Sequence, residues 1–363
     1  MLKEKNSKLH VVHILPTLDI GGAEMFVLEL TKYISEENIK QSILILKDKK
    51  AFASEVPENV NLDVLDLSKV SYFKRIFVLK KYLKEISTDV VHTHLFGADL
   101  WGRLAAWLLK IPVVTTEHNV NVAESSLRAY IKRLMHNFSQ VYTAPSQAVA
   151  EYMSQVYRVR LEKIEVIRHG IDIKRFSNIK SNKFHNTIKL AIIGRLTEQK
   201  GHKVAIEALT YLSDTNVELD ITGSGELKND LQDYAKKIGV ADKINWQEAV
   251  TKVEQAYDNA DIVLMPSLWE GLGLVALEAM ASERLVIASS VDGLKEIIKD
   301  GETGLLFQSQ DALELSNVIK KSIDDKEKSY IISKNAREWT QKNVRVEDMA
   351  KKYQEIYLNL VDR

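Results

Sequence analysis

Residues 262–280 read IVLMPSLWEGLGLVALEAM, and this stretch decides the fold of the second half of the chain. Four apolar residues lead into Pro266 and predict a short buried strand. A loop with Glu270 follows, and apolar residues at helical spacing predict a helix from about Gly273. A strand, a glycine-containing loop and a helix in this order are typical of a parallel α/β sheet, whose ligand sites lie at the carboxyl ends of the strands.

The same alternation of short apolar runs and longer helical patterns extends over the whole chain. Because strands that are apolar throughout must be covered on both faces, it predicts the α/β class, with two Rossmann-like doubly wound domains facing each other across a cleft. A polar stretch at residues 178–186 separates the two runs. We therefore expect an N-terminal domain at 1–180 and a C-terminal domain at 181–344, with the last helix, near 345–363, packing back on the first domain. Strands are predicted at residues 10–15, 42–46, 89–92, 113–116, 141–144, 164–167, 188–193, 217–221, 244–246, 262–265, 285–288 and 305–307.

The composition of the 363 residues excludes several classes of protein. The chain has no cysteine, which excludes disulfides, thiolate metal sites and a cysteine nucleophile. Fifty Lys and Arg balance 50 Asp and Glu, which argues against a partner such as nucleic acid that needs a basic surplus. Neither a signal peptide nor a membrane-spanning stretch is expected, so the predicted location is cytoplasmic.

Glycines and cations cluster where predicted strands lead into helices. Gly21 and Gly22 precede the first helix, where backbone N–H groups suit a phosphate, although a simple tight turn explains them equally well. Arg195 and Lys200 lie in the loop after the first strand of the second domain, and both suit phosphate oxygens unless they form an ordinary surface pair. Gly223 belongs to half of a dinucleotide-binding pattern, which is weak evidence alone.

Two carboxylates flank the predicted loop and helix of the opening stretch. The loop amides and the start of the helix suit a diphosphate, and Glu270 and Glu278 lie on either side of that position. Carboxylates accept hydrogen bonds from vicinal hydroxyls, so the pair suits a diphosphate with a sugar at each end, which is a nucleotide sugar. The alternative is a capping acid and a helix-face acid, but an unpaired Glu278 among apolar neighbours would be costly.

Together these segments resemble the retaining glycosyltransferases of family 4, which have the GT-B fold. The carboxylates of Glu270 and Glu278 have the spacing of the family signature. The resemblance covers nearly the whole chain and rests on segments in a fixed order, at residues 21–24, 91–94, 116–119, 170–172, 194–201, 223–226 and 300–306. Four positions depart from the family pattern. Glu283 and Leu285 replace Gly and Pro, Asp292 replaces the first of two glycines, and His169 replaces the Asn that often precedes the Gly-x-Asp turn.

The resemblance also implies roles for individual residues. Arg195 and Lys200 would neutralise the donor diphosphate, Glu278 would bind the ribose, and Glu270 would hold hydroxyls of the transferred sugar. His118, at a strand end in the first domain, would lie near the anomeric carbon, unless it is only a hydrogen-bonded structural histidine. The remaining donor-binding positions would be Gly22, Gly223, Gly271, Leu272, Gly273 and Leu274.

The expected reaction transfers a sugar with retention from a nucleotide-diphosphate sugar, a UDP-sugar in preference to a GDP-sugar. No Asp-x-Asp triplet occurs in the chain, so no metal and no cofactor are expected. The same fold also serves nucleotide-sugar epimerases, and a decayed transferase could merely bind sugar nucleotides. Conversion of one sugar epimer to another without an acceptor would distinguish the epimerase.

The acceptor is expected to be a saccharide, lipid-linked in bacterial capsule, exopolysaccharide or O-antigen assembly. Residues 71–84 and 127–136 combine apolar and aromatic positions with several cations and no acid. Such helices bind the anionic inner leaflet of a membrane, although any helix that covers a sheet also needs an apolar stripe. Residues 1–180 contain 26 Lys and Arg against 20 Asp and Glu, and residues 181–363 contain 24 against 30. The basic half is therefore the one expected at the membrane.

Overall fold

The computed structural model describes residues 8–122, 124–179 and 184–361. The chain divides into two compact units. The first unit ends at Gly170 and resumes at Val346, whereas the second spans Ile171–Arg345. Each unit is built on one parallel β-sheet, and the fold is α/β as the sequence predicts.

The sheets contain seven and six strands. All neighbouring strands are parallel, as the apolar strand sequences predict. The strands are β1 (Leu9–Leu15), β2 (Ile39–Ile45), β3 (Asn61–Val64), β4 (Val90–His94), β5 (Val113–Thr116), β6 (Val141–Ala144), β7 (Ile164–Val166), β8 (Ile188–Ile193), β9 (Val217–Thr222), β10 (Ile244–Gln247), β11 (Ile262–Met265), β12 (Leu285–Ser289) and β13 (Leu305–Phe307). Their order is β3-β2-β1-β4-β5-β6-β7 in the first unit and β10-β9-β8-β11-β12-β13 in the second.

Helices connect the strands in both units. Several begin at a serine or aspartate whose side chain accepts a bond from a first-turn N–H, as at Ser125, Ser146 and Asp311. The helices are α1 (Gly22–Tyr33), α2 (Arg75–Glu85), α3 (Leu95–Leu109), α4 (Ser126–Leu134), α5 (Gln147–Tyr157), α6 (His202–Ala208), α7 (Lys228–Lys237), α8 (Glu254–Asp258), α9 (Leu274–Ala281), α10 (Asp292–Lys295), α11 (Ala312–Asp324), α12 (Lys326–Asn343) and α13 (Val346–Val361).

Each sheet is buried on both faces because its central strands are apolar on both. In the first unit, Val11 and Leu15 of β1 pack in a core with α1 and α13, whereas Val12 and Ile14 pack in another with α2 and α3. In the second unit, Leu190 of β8 packs in a core with α6, α7 and α11, and the core on the other face contains residues of α9 and α12.

The boundary between the units lies earlier than the 180/181 boundary that the sequence predicts. The N–H of Ile171 donates to the carbonyl of Val344, 2.8 Å away, and Phe176 is fully buried in a core of the second unit. Residues 171–179 therefore belong with the second unit. Of the polar stretch that we interpreted as the linker, residues 180–183 lie outside the described residues. The last helix, α13, packs in the first unit, with Tyr353 and Tyr357 in its core.

The sequence misses one strand. Strand β3, at one edge of the first sheet, reads Asn-Leu-Asp-Val and lacks the apolar run that marks the other strands. Within the described residues, no helix combines the length and the hydropathy that crossing a membrane requires.

Candidate functional site

In the second unit, two loops meet where the strand order reverses. Strands β8 and β11 are neighbours in the sheet, and the chain runs outward from them in opposite directions. Such a reversal point leaves a crevice at the carboxyl ends of the strands. The loop after β8 contains Arg195 and Lys200, and the loop after β11 contains Glu270. The opening stretch of the sequence therefore lies beside the cationic loop.

An ion pair joins the two loops. Lys200 Nζ lies 2.7 Å from Glu270 Oε2, and the Ser267 hydroxyl lies 3.3 Å from the same oxygen. Glu270 is only 8% exposed. The Arg195 side chain, by contrast, is exposed and makes no ion pair or side-chain hydrogen bond with the rest of the described chain. One cation thus neutralises the buried carboxylate, and a second remains available to an anion.

Backbone contacts hold these loops together. The N–H of Leu268 donates to the carbonyl of Gln199 at 2.8 Å, and the Gln199 side-chain amide donates to the carbonyl of Trp269 at 3.1 Å. Gly273, at φ +93°, adopts a left-handed conformation directly before α9. Leu274 and Val275 occupy the first turn of α9, where backbone N–H groups have no intrahelical acceptor. The loop and helix start can therefore present N–H groups to an anion.

Glu278 lies on the same helix and is 6% exposed. The Tyr257 hydroxyl donates to its Oε2 at 2.7 Å. Burial and the adjacent Glu278 carboxylate hold the pKa of Tyr257 well above its ordinary value, so the phenol stays protonated and acts as the donor. Tyr257 thus orients the Glu278 carboxylate, which the sequence singles out. Tyr257 lies 21 residues before Glu278, and nothing in the sequence around it indicates this role.

Gly223 has a structural reason to be glycine. A Cβ at this position would lie 1.8 Å from the carbonyl oxygen of Gly194, so any side chain would push the two loops apart. The N–H of Gly194 donates to the carbonyl of Thr222 at 3.0 Å, and the N–H of Leu196 donates to the carbonyl of Ser224 at 2.8 Å. Gly223 therefore shapes the cationic loop through the backbone.

In the first unit, the reversal point lies between β1 and β4, and Gly22 begins α1 just after β1. Gly22 is exposed. The Glu24 carboxylate lies against Gly21, since its Oε2 is 2.4 Å from where a Cβ of Gly21 would be. Glu24 lies three residues after Gly21, the N-cap of α1, where an acidic side chain is favourable. A phosphate bound at the start of α1 would therefore lie beside the Glu24 carboxylate.

His118 follows β5 and is bonded to a second histidine. Its Nε2 lies 3.2 Å from Nδ1 of His94, the last residue of β4. Its Nδ1 is buried and has no hydrogen-bond partner among the described residues. Burial lowers the pKa of His118 well below its ordinary value, and the nearby His169 and Lys132 lower it further. The ring is therefore neutral at physiological pH.

The strand end at His118 is anchored by a buried ion-pair cluster. Lys132 Nζ of α4 lies 2.7 Å from Glu117 Oε2 and 3.2 Å from Glu124 Oε1, and all three side chains are at most 7% exposed. Burial acts to lower the pKa of Lys132, but the surrounding carboxylates outweigh it and raise the pKa. The ammonium therefore stays charged and fixes α4 beside the residue preceding His118.

Ring nitrogens of His13, His92 and His94 lie within 4.8 Å of one another, the spacing of a metal-ligand set. However, His92 already uses both nitrogens, with the Tyr357 hydroxyl 2.6 Å from Nδ1 and the Thr116 hydroxyl 2.7 Å from Nε2. The cluster is therefore better described as a buried polar layer between the sheet and α13.

The structure thus brings Arg195, Lys200, Glu270 and the start of α9 together at the carboxyl edge of the second sheet. It holds Gly22 and His118 at the carboxyl ends of strands in the first unit. Three polar partners of these residues were missed by the sequence: Ser267, Tyr257 and His94. Of these, only His94 carried a signal, because it lies in a segment that supports the family resemblance.

Two family models match consecutive parts of the chain. "Glycosyltransferase Family 4" matches residues 20–175 and "Glycosyl transferases group 1" matches residues 174–339. The chain is 26% identical to the Escherichia coli UDP-Gal:alpha-D-GlcNAc-diphosphoundecaprenol alpha-1,3-galactosyltransferase, over 99% of both chains. It is 25% identical to a Campylobacter jejuni undecaprenol-linked alpha-1,4-N-acetyl-D-galactosaminyltransferase, over 91% of this chain and 93% of that protein.

A solved structure is similar to this chain over nearly its whole length. The crystal structure of Anabaena HepE with UDP-glucose has a TM-score of 0.85 at 20% identity and covers 97% of this chain and all of that one. At this identity the likeness establishes the fold, which is GT-B. The two matching family models show that the chain belongs to family 4 and is a glycosyltransferase.

Proposed function

We propose that this enzyme transfers a sugar from a nucleotide-diphosphate sugar, most favourably a UDP-sugar, to a lipid-linked saccharide in bacterial surface polysaccharide biosynthesis. The two curated relatives support the acceptor class, because both are named for transfer onto undecaprenol-linked saccharides. The crystal structure of HepE with UDP-glucose supports the donor class. The reaction is proposed to retain the anomeric configuration and to need no metal.

The observation that carries the proposal is the Lys200–Glu270 pair beside the exposed Arg195. An ammonium has three donors, so Lys200 can keep its bond to Glu270 and also bind a phosphate oxygen. Arg195 supplies a planar fork for a second oxygen. Glu270, held by Lys200 and Ser267, accepts hydrogen bonds from hydroxyls of the transferred sugar. The diphosphate and the sugar are thereby recognised by one connected group of side chains.

The remaining proposed contacts with the donor are inferred from where the residues lie in the fold. The backbone of residues 271–274 leads into α9 and lines the diphosphate and the sugar, while Glu278, oriented by Tyr257, accepts from the ribose hydroxyls. Gly223 keeps the cationic loop in place. Gly22 and His118 contribute from the first unit, with His118 near the anomeric carbon.

In the proposed step, the bond from the anomeric carbon to the β-phosphate oxygen breaks and a bond to the acceptor oxygen forms. The departing phosphate oxygen takes the proton of the acceptor hydroxyl on the same face, so no carboxylate nucleophile is needed. Negative charge grows on the diphosphate as the anomeric carbon becomes cationic. Arg195, Lys200 and the start of α9 stabilise that charge, the work that a divalent metal performs in enzymes with an Asp-x-Asp triplet.

Thermal-shift measurements with UDP-, GDP- and ADP-sugars test donor binding, because a ligand that binds the native state raises its melting temperature. Release of UDP that depends on a GlcNAc-diphosphate-lipid acceptor, undiminished by EDTA, would support transfer without metal, and an α-linked product would support retention. An Arg195→Ala/Lys200→Ala double variant should lose the activity. Interconversion of sugar epimers without acceptor, or binding without turnover, would instead favour an epimerase or a binding protein.

We also propose that the first unit binds the anionic inner leaflet through α2, α3 and α4, which are packed side by side. Large apolar side chains are exposed on these helices and on the turn before α2: Phe73 (85%), Phe77, Trp107, Leu127, Tyr130 and Leu134. Exposed cations lie among them, including Lys74, Lys81, Arg128 and Arg133. Apolar anchors combined with cations suit an anionic lipid surface.

Flotation with vesicles of phosphatidylcholine and phosphatidylglycerol tests this membrane contact. The protein should co-float at low salt, less so with phosphatidylcholine alone, and a Phe73→Ser/Leu134→Ser variant should remain at the bottom. Leu161→Ser is the matched control, because Leu161 is 57% exposed but lies outside the three helices. Failure of the unmodified chain to co-float at low salt would overturn the membrane proposal.

A further inference from the structure

His94 and His118 form a hydrogen-bonded side-chain pair at the carboxyl edge of the first sheet. His94 ends β4, at the point where the strand order reverses, and its Nδ1 lies 3.2 Å from Nε2 of His118. The outer nitrogens, His94 Nε2 and His118 Nδ1, are buried and have no hydrogen-bond partner among the described residues. Among the described residues, the bond between the two rings is therefore the hydrogen bond that each ring makes.

Both rings are neutral, because burial lowers the pKa of each well below its ordinary value. A neutral imidazole carries one N–H and one lone pair, so only one of the two facing nitrogens holds the shared proton. If His94 donates, His118 must carry its own proton on Nδ1. If His118 donates, its Nδ1 is an acceptor. The bond therefore ties the tautomer of His118 to that of His94.

Two neighbouring histidines, His13 and His92, bond to other residues. Gln41 donates its amide to the carbonyl of Thr31, so its oxygen faces His13 and accepts from His13 Nε2 at 3.3 Å. His92 uses both nitrogens for the hydroxyls of Tyr357 and Thr116. Within the described part of the chain, the hydrogen bond to the His118 ring comes from His94.

The His94 ring is held in place by packing. It lies 4.0 Å from the ring of His92, is stacked on His13 at 5.7 Å, and contacts Phe26 at 5.8 Å, measured between ring centroids. His94 is fully buried. A ring with this little freedom can hold a partner in one orientation.

We infer that His94 is a positioning residue that fixes one neutral tautomer and one ring orientation of His118. Nδ1 of His118, which is buried in the free protein, then has one defined hydrogen-bonding character, as a donor or as an acceptor. The inference rests on the proposed function for the role of His118 at the donor sugar. The tautomer itself is a property of the free protein and requires no substrate.

The first test reads that tautomer directly. Two-dimensional NMR of the full chain with ¹⁵N-labelled histidine, at about pH 7.5 and without substrate, distinguishes the two neutral forms. The His118 signals are assigned by their loss in His118→Asn. A single neutral tautomer is expected in the unmodified chain, and a mixture in His94→Leu. A mixture in the unmodified chain, or an unchanged pattern in His94→Leu, would overturn the inference.

The second test uses the rate of UDP release from UDP-glucose and UDP-galactose. His94→Leu keeps an apolar side chain of similar size but removes the bond, and kcat should fall about 10- to 100-fold with KM within about threefold. His94→Asn places an amide where Nδ1 was and should restore most of kcat. His13→Leu is a buried control that replaces the ring stacked on His94 by an apolar side chain of similar size and leaves the His94–His118 bond in place, so kcat should stay within about threefold.

Equal losses of kcat in His94→Leu and His13→Leu, or no rescue by His94→Asn, would show a merely structural role. If the unmodified protein neither binds nor turns over a nucleotide sugar, the proposed function fails, whereas the NMR result still decides whether His94 fixes the tautomer. The two failures are thus distinguishable.

Discussion

Lys200 and Glu270 form an ion pair of 2.7 Å that connects the loops after β8 and β11, with side chains 17% and 9% exposed. Because the strand order of the second sheet reverses between these two strands, the pair bridges the place where a parallel sheet offers a ligand crevice. Glu270 is therefore already neutralised in the free protein, and Lys200 has donors left for an incoming anion.

The Lys200–Glu270 pair should show strong coupling. Lys200→Met leaves a buried carboxylate without its cation, and Glu270→Gln leaves a cation with a weaker acceptor. The losses of unfolding free energy in the two single variants should therefore add up to more than the loss in the double variant. The difference is the coupling free energy, which should be about 1–3 kcal/mol in urea unfolding. Additive losses across the four proteins would show that the pair contributes nothing in the folded state. UDP-sugar binding, read by thermal shift, should be weakened in Lys200→Met.

Removal of the Tyr257 hydroxyl should affect both stability and the nucleotide. Tyr257→Phe takes the 2.7 Å donor from the buried Glu278, and a hydrogen bond to a charged group contributes about 1.5–3 kcal/mol. The free energy of unfolding should fall by this amount and KM for a UDP-sugar should rise. Tyr353→Phe is the control: its hydroxyl donates to the neutral Thr143 in the first unit, and KM should stay unchanged. An unchanged KM in Tyr257→Phe would show that Tyr257 does not contribute to nucleotide binding.

Replacement of Lys132 should destabilise the first unit. Lys132→Met leaves Glu117 and Glu124 buried without their cation, and breaking such a cluster costs about 3–5 kcal/mol. Lys81→Met removes an exposed partner of Glu85 and should change the free energy of unfolding by less than about 0.5 kcal/mol. Equal effects of the two substitutions in urea unfolding would contradict the structural role assigned to the cluster.

Stability should decrease in acid because several histidines are buried neutral. Burial, with a smaller effect of the Lys200 charge, lowers the pKa of His202 from 6.5 to about 4, and burial lowers those of His13 and His169 to about 4. Between these pKa values the unfolded chain binds protons that the folded chain does not, so the free energy of unfolding falls as pH decreases from about 6.5 to about 4.

His202→Leu tests this dependence with little other change, because neither ring nitrogen of His202 has a hydrogen-bond partner in the described structure. The variant should be more stable than the unmodified protein at about pH 5 and should lose less stability between about pH 7 and pH 5. Urea unfolding at several pH values measures the slope. Parallel pH curves for the two proteins would show that His202 does not contribute.

The sequence predicts most of the architecture because apolar strands and helical periodicity are local signals. Strands such as Ile188–Ile193 and Ile262–Met265 have the predicted bounds. The site was predictable where chemistry follows a strand end, as for Lys200 and Glu270. Tyr257 was not, because its partner Glu278 lies 21 residues away and nothing local marks a tyrosine as a hydrogen-bond donor to it. The unit boundary was misplaced because the polar stretch at residues 178–186 was interpreted as the linker, whereas Phe176 is already buried in a core of the second unit.

One departure from the family pattern also has a physical explanation. Glu283 stands where related sequences have glycine, and its φ of +56° lies in the left-handed region that favours glycine. Its carboxylate is bonded to Arg337 of α12, 3.1 Å away, which offsets part of the backbone cost. The substitution therefore ties the end of α9 to α12.

The position of α13 has a consequence for how the protein is made. Its tyrosines Tyr353 and Tyr357 complete a core of the first unit, and Tyr357 bonds to His92 of β4. Synthesis proceeds from the N-terminus, so the second unit, which ends at Arg345, can acquire its whole sequence while the first still lacks its last helix. The histidine layer beneath α13 therefore stays uncovered on the nascent chain until α13 has been synthesised, and the unit that is begun first is completed after the second.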